Sequence, residues 1–183
     1  MSINFPGHTA PDGGFEVPLE MLSACHHRVE RQCATLRRLV AHLATRGADA
    51  DAAAAAAAVL RYFDSAAKDH HADEEQDLFP ALIESMAGSD ATCLRDMIAA
   101  LEGEHRALET HWQRLRPVLQ GIAAGQALPL ASADVEPLTG LYERHIAREE
   151  AELLPMAARL LGDDALERVG RVMRERRGIG AIG

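Results

Sequence analysis

The sequence predicts an all-α protein, an up-down-up-down four-helix bundle, and three observations support this prediction. Aromatic residues make up only 4% of the chain while alanine and leucine are abundant, a balance that favours helices over strands. Four long segments repeat apolar residues at spacings of three and four, which is the pattern of a helix with one buried face. Short linkers with glycine, proline and aspartate separate these segments, so neighbouring helices are expected to run antiparallel.

The chain of 183 residues suits one domain, with an arm before it and a short helix after it. Residues 1–18 carry glycines and prolines without periodicity, which predicts an extended N-terminal arm. The bundle is predicted over residues 19–161, and its first helix runs over residues 18–45, with Gly47 just past its end. Residues 162–183 are predicted to form a short C-terminal helix and a tail.

The second helix is predicted to begin after an aspartate cap, either Asp49 or Asp51, and to continue to about residue 86. Seven consecutive alanines, residues 52–58, belong to this helix, because alanine has the highest helix propensity and permits close contact between helices. Pro80 lacks an N–H group and is expected to kink the helix or to end its regular part.

The third helix is predicted over residues 91–124, with a bend near Pro117. The fourth is predicted over residues 134–161, and a GDD cap begins a fifth over residues 163–176. Arginines are concentrated in and just after this last helix, which predicts either a solvated terminal helix or a surface that docks an acidic partner. These arginines are Arg168, Arg171, Arg174, Arg176 and Arg177.

Charge and composition restrict the classes of partner and the compartment. The formal net charge of −9 disfavours binding to nucleic acid or to an anionic membrane surface. The longest apolar stretch, residues 52–60, is too short to cross a bilayer, and the N-terminus lacks the pattern of a secretory signal. The 3 cysteines form no CxxC pair, which predicts reduced thiols in a cytoplasmic protein.

A histidine interrupts each of the four apolar stripes, and in two of them a glutamate follows four residues later. Burying a polar side chain without a partner is costly, so four such interruptions call for one common explanation. A shared metal centre provides it, since four imidazoles and two carboxylates could hold two transition-metal ions. A donor set without thiolate suits iron or manganese better than structural zinc. The predicted ligands are His26, His71, Glu75, His105, His145 and Glu149.

Several neighbouring residues leave the ligand set open. His27 and His70 lie next to stripe positions, and either could replace its neighbour as a ligand. Glu109, four residues after His105, is either a seventh ligand or part of the solvated surface. A ferritin-like centre would need two ExxH repeats, and only Glu102 and His105 have that spacing.

Four segments together resemble the hemerythrin-like, HHE cation-binding family. They are ACHHRVERQ in the first helix, HHADEEQDLFPAL in the second, EHRAL in the third and HIAREEAELLP in the fourth. The resemblance extends over about residues 19–161 and implies a four-helix bundle holding a non-haem di-iron centre. By position, it implies the same six ligands. The implied cofactor is two iron ions, with manganese or zinc as alternatives.

The sequence departs from the oxygen-carrying hemerythrins at two ligand positions. Those proteins have a second histidine in the third helix where this chain has Glu109. They also have an aspartate five residues after the histidine of the fourth helix, where this chain has Glu149 at four. The pattern is closer to the bacterial branch associated with nitric oxide, oxidative stress and iron-centre repair.

The resemblance therefore implies a protein that binds or senses dioxygen, nitric oxide or peroxide as part of a stress response. Two alternatives use the same centre. One is an enzyme that disproportionates peroxide or reduces nitric oxide, and the other is iron storage or delivery for iron-centre repair. The chain shows no attached signalling domain, so a protein partner would act in trans. No catalytic residue outside the metal ligands is predicted.

Overall fold

The computed structural model describes residues 17–86 and 91–179, and within these ranges the protein is helical and contains no strand. The all-α bundle predicted from the sequence is confirmed. The predicted N-terminal arm, up to residue 16, and the last four residues, 180–183, lie outside the described residues. Among the described helices, none is both long enough and apolar enough to span a membrane.

The first and third helices of the bundle are continuous, whereas the second and fourth are divided into segments. The first is α1 (Pro18–Arg46) and the third is α5 (Ala91–Ala123). The second consists of α2 (Ala50–Asp64), α3 (Ala66–Asp73), a first π-turn (Glu74–Leu78) and α4 (Phe79–Ser85). The fourth consists of α6 (Ser132–Arg148), a second π-turn (Glu149–Leu153) and α7 (Leu154–Leu160), and α8 (Asp163–Arg176) follows it.

The helix ends follow the expected capping chemistry. The Asp49 side chain accepts a hydrogen bond from the Ala52 N–H, so the first of the two candidate aspartates caps α2. Gly47 ends α1 with a φ of 75°, in the left-handed region that glycine adopts without strain. Pro117 lies inside α5 without ending it.

Each π-turn comes directly before a helix that has proline at its second position, Pro80 in α4 and Pro155 in α7. A proline cannot donate to the carbonyl four residues earlier, and its ring collides with that carbonyl. The wider π-helical turn relieves this conflict by accommodating one extra residue. The predicted kink at Pro80 therefore takes the form of a π-turn before the proline.

Buried apolar side chains form two clusters in the described part of the chain. The α2-side cluster includes Val29, Leu36, Val59, Phe63, Leu108, Trp112 and Leu138. The α8-side cluster includes Met21, Leu22, Leu78, Leu82, Leu101, Leu153 and Met173. On α1, His26 lies between Leu22 of one cluster and Val29 of the other. A layer of buried polar residues therefore separates the two halves of the core.

The arginine-rich C-terminal helix divides into two faces. Arg168 and Arg171 are exposed, as expected for a solvated helix. Arg176 and Arg177 instead form ion pairs with Asp73 of α3, which is itself fully buried. The acidic group that these two arginines bind, Asp73, therefore belongs to the same chain.

Candidate metal centre

The polar layer contains five histidines and two glutamates contributed by all four helices of the bundle. Six of them are at most 4% exposed, and they are His26, His70, Glu74, His105, His145 and Glu149. The seventh, His71, is half-buried, but its Nε2 atom is shielded from solvent. Isolated polar groups are rarely buried to this extent, so the layer requires an account of its charges and hydrogen bonds.

The ligand atoms of this layer form three overlapping groups, each with its atoms within 4.8 Å of one another. His71, His105 and His145 make up the three-histidine end, and His26 and His70 make up the two-histidine end. Glu74 and Glu149 belong to the groups at both ends. The arrangement is that of two adjacent cation sites sharing two carboxylates.

Each shared carboxylate directs one oxygen toward each end. Glu74 Oε1 lies 3.5 Å from His70 Nε2, and its Oε2 lies 3.3 Å from His105 Nε2. Glu149 Oε2 lies 3.1 Å from His26 Nε2, and its Oε1 lies 3.1 Å from His145 Nε2. This is the orientation that a carboxylate adopts when its two oxygens bind two different cations.

Three further glutamates fix the orientation of three imidazoles from outside the layer. A carboxylate only accepts hydrogen bonds, so each of these imidazoles donates its Nδ1–H outward, and its Nε2 is left to present a lone pair to the interior once it is free of a proton. Such outer carboxylates commonly orient histidines that bind metals. The Nδ1 to Oε distances are 2.6 Å for His26 and Glu150, 2.7 Å for His105 and Glu75, and 2.8 Å for His145 and Glu104.

Unsatisfied atoms in the layer provide the test of whether metal ions fit. Within residues 17–86 and 91–179, both oxygens of Glu74 and Glu149 are buried without a hydrogen-bond partner, as are one ring nitrogen each of His26, His70 and His71. The Nε2 atoms of His105 and His145 face each other at 3.0 Å. A cation about 2.1 Å from two ligands at right angles would hold them at about this separation. The residues therefore fit metal ions.

The electrostatics of the layer also favour cations. Burial opposes a charge on His105, yet the nearby carboxylates of Glu74 and Glu75 raise its pKa to about 9, so without a metal ion this imidazole carries a proton. Burial lowers the pKa of His70 to about 4, so this imidazole is neutral and able to bind metal at neutral pH. Burial disfavours ionised Glu74, but the surrounding imidazoles hold its pKa well below the usual range. Two ionised carboxylates thus lie in the interior, where either protons on the imidazoles or metal cations must offset their charge.

The structure brings together five of the six residues predicted as ligands, and it places the sixth outside the layer. Glu75 is 39% exposed and contacts only the outer nitrogen of His105, while its neighbour Glu74 points inward. The first π-turn explains the difference, because its extra residue shifts the helical phase between His71 and Leu78. The five residues brought together are His26, His71, His105, His145 and Glu149.

The residues left open by the sequence are now placed. His70 lies in the layer together with His71, rather than instead of it. His27 is exposed, with Nδ1 2.9 Å from the Ser23 carbonyl oxygen, and Glu109 is exposed beside Gln113. Neither His27 nor Glu109 belongs to the cluster.

A signal for Glu74 and His70 was present in the sequence. Glu149 lies six residues before Pro155, and Glu74, not Glu75, lies six residues before Pro80. Counting back four more residues from each glutamate gives His145 and His70. Measured from the prolines, the second and fourth helices thus carry the same motif, and Glu75 corresponds to Glu150, another outer carboxylate.

A cleft leads from the surface to the three-histidine end. Its volume is about 220 Å³, including the part open to solvent. The cleft lies beside the break at Ser65 between α2 and α3, where Asp64 accepts a hydrogen bond from the Trp112 indole at 3.0 Å. Its walls are mostly apolar, and it is lined by Phe63, Ala67, Lys68, His71, Leu108, Glu109, Trp112 and Tyr142.

Comparisons with known proteins agree with this geometry. The family model described as the hemerythrin HHE cation binding domain matches residues 17–157, which include every residue of the polar layer. A Haemophilus influenzae protein described as uncharacterized is 34% identical over 160 residues. The match covers 87% of this chain and 90% of that protein.

Proposed function

The chain belongs to the hemerythrin HHE cation-binding family, and on this premise we propose that it holds two iron ions in its polar layer. We propose further that this centre binds or senses dioxygen, nitric oxide or peroxide. The ligand set of this proposal differs from the set predicted from the sequence, because Glu74 replaces Glu75 and His70 is added. The proposed ligands are His26, His70, His71, Glu74, His105, His145 and Glu149.

The proposal of two ions rests on one observation, which is the inward direction of the imidazole Nε2 atoms. Glu75, Glu104 and Glu150 bind the outer nitrogens of three imidazoles, so the protons of these rings point away from the centre. The inner nitrogens then face each other and two carboxylates, so either protons or metal cations must lie between these groups, and bound metal ions would displace the protons.

The nature of the donors supports iron. Imidazole and carboxylate ligands without thiolate suit iron or manganese, and seven donors exceed what two four-coordinate zinc ions sharing carboxylates require. Iron supplies redox chemistry and coordination positions for a small ligand. The described residues leave the two-histidine end with only two imidazoles of its own.

The cleft supports a small ligand rather than a large substrate. Phe63, Trp112 and Leu108 form apolar parts of its wall, and polar side chains also line it. One of these is Tyr142, which is 4% exposed and whose hydroxyl makes no hydrogen bond with any described residue. Burial raises the pKa of Tyr142 well above its ordinary value, so the hydroxyl keeps its proton and is able to donate a hydrogen bond to an incoming molecule.

Anaerobic reconstitution with ferrous iron tests the proposal. The protein should retain about two iron ions per chain after desalting, since two adjacent sites share the carboxylates. Its optical spectrum should change when dioxygen, nitric oxide or hydrogen peroxide is added separately. Sustained turnover of peroxide or nitric oxide would indicate an enzyme instead of a sensor. A preparation that binds a single zinc ion and refuses iron would contradict the proposal.

A further inference from the structure

The C-terminal helix α8 covers the side of the bundle where the two-histidine end lies. It packs against α1, which carries His26, against α3, which carries His70, and against the first π-turn. Its side chains Val169 and Met173 are buried in the α8-side cluster. This helix follows residue 157, where the family match ends, so it is an element that the family model does not account for.

Two arginines at the end of α8 bind the helix segment that carries the ligands. Asp73 is fully buried and accepts hydrogen bonds from Arg176 and, at 2.6 Å, from Arg177 Nη2. Arg176 Nη2 also donates to Asp77 Oδ2 at 2.7 Å. Arg177 Nη1 donates to the Met173 carbonyl at 2.7 Å, which fixes its guanidinium against its own helix. We call these four charged residues, Asp73, Asp77, Arg176 and Arg177, the arginine clamp.

The clamp adjoins the metal centre on two helices. Asp73 directly precedes Glu74, and Asp77 lies within the first π-turn. On the other side, α8 itself packs against α1, which carries His26.

The charges of the clamp bear on the rotation of the first π-turn. A buried carboxylate that loses its cationic partners moves toward solvent, because burial of an unpaired charge is strongly unfavourable. Asp73 and Glu74 are adjacent on the chain and both are buried, so a movement of Asp73 outward would rotate Glu74 as well. The arginines therefore hold the turn in the rotation that directs Glu74 inward.

We propose that Arg176 and Arg177 are positioning residues for the metal centre, and that α8 retains the ion at the two-histidine end. The inference rests on the proposed di-iron function. Two imidazoles and two shared carboxylates hold the ion at this end, so the loss of Glu74 removes one of four ligands. The other end has three imidazoles of its own and should keep its ion longer.

Iron release from the loaded full-length chain tests this proposal. The double variant Arg176→Gln/Arg177→Gln is compared with Arg168→Gln/Arg171→Gln, a control in which two exposed arginines of the same helix lose the same charge. Each protein is loaded anaerobically, its iron is counted, and a ferrous chelator is added. In the clamp variant about half of the iron should leave at least about tenfold faster, with the rest accelerated less, because the three-histidine end keeps four ligands when Glu74 is lost. The control should behave as the wild type.

Further variants separate positioning from folding. Arg176→Lys/Arg177→Lys keeps the charge and should restore part of the slow release, and the single variant Arg176→Gln, which leaves Arg177 on Asp73, should give an intermediate rate. Circular dichroism of the metal-free proteins checks that the helices are intact. Equal acceleration of both halves of the iron, or no acceleration, would overturn the proposal while leaving the di-iron function standing. A wild-type chain holding fewer than two ions would overturn both.

Discussion

Two adjacent glutamates, Glu74 and Glu75, show that a shift of one position along the chain changes the role of a side chain in this protein. Glu74 is fully buried, and its two oxygens face the two ends of the centre. Glu75, one residue later, is 39% exposed and binds only the Nδ1–H of His105. The chemical group is the same in both, so the difference in role follows from helical phase alone.

Substitution of these two glutamates by glutamine should have unequal effects. Glu74→Gln removes a negative charge between two cations and should reduce retained iron to about one ion per chain or fewer. Glu75→Gln removes only an orienting group, which typically weakens metal affinity by about 10-fold to 100-fold, so both ions should be retained at saturating iron. Iron counting after desalting measures the difference, and equal loss in both variants would show that the inward residue is misassigned.

The sequence was sufficient to predict the proposed ligands that stand alone on their helices. His26 and His105 are each the polar interruption of an otherwise apolar stripe, and the structure buries both. The sequence was insufficient where two equivalent residues are adjacent, because a pattern of buried residues at spacings of three and four identifies only one inward position per turn. His70 and His71 both reach the layer, at different ends, and periodicity alone does not predict such a pair.

At the scale of elements, the π-turns determine the register of the second and fourth helices. Each adds one residue between a ligand-bearing segment and a short apolar helix that ends the bundle. The order and approximate bounds of the helices followed from periodicity and capping residues. The break at Ser65 did not follow from the sequence, and the first π-turn was expected only as a kink at Pro80, because a proline indicates a disturbed turn without fixing its form.

Deletion of Ala151 tests the role of the second π-turn. This exposed residue lies inside Glu149–Leu153, and its removal should convert the turn to regular α-helix. Glu149 and Leu153 would then be three residues apart in a regular α-helix and offset by about 60° around its axis, so Glu149 would turn from its present direction when Leu153 stays buried. We expect helical content to persist by circular dichroism while bound iron falls to one ion or fewer. The control Ala151→Ser keeps the chain length and should retain both ions.

At the scale of the whole molecule, the polar layer divides the core into two halves of different construction. The α2-side half is built from long helices with many apolar contacts, including Phe63 and Trp112 with ring centroids 5.0 Å apart. The α8-side half contains the short helices α4, α7 and α8, which follow the π-turns or the bundle itself. The long helices α1 and α5 and the ligands of the layer connect the two halves.

Iron binding should therefore stabilise one half more than the other. Without metal ions, only protonated imidazoles offset the two buried carboxylates, which weakens the junction at the π-turns. A ligand at 100 times its Kd stabilises the state that binds it by about 2.7 kcal/mol, roughly a hundredfold in a local opening equilibrium. Amide hydrogen exchange, compared between metal-free and iron-loaded protein, should slow most in α4, α7 and α8.

The same exchange experiment distinguishes selective stabilisation of the α8-side half from stabilisation of the whole protein. Helix α2 packs in the α2-side half and carries no residue of the polar layer, so its amides should change little on iron loading. Uniform slowing along the chain would show that the protein opens as a single cooperative unit. A selective effect would mean that iron bound in the polar layer holds the α8-side half in place. The arginine clamp, whose ion pairs contain no metal, is a second link to the same half.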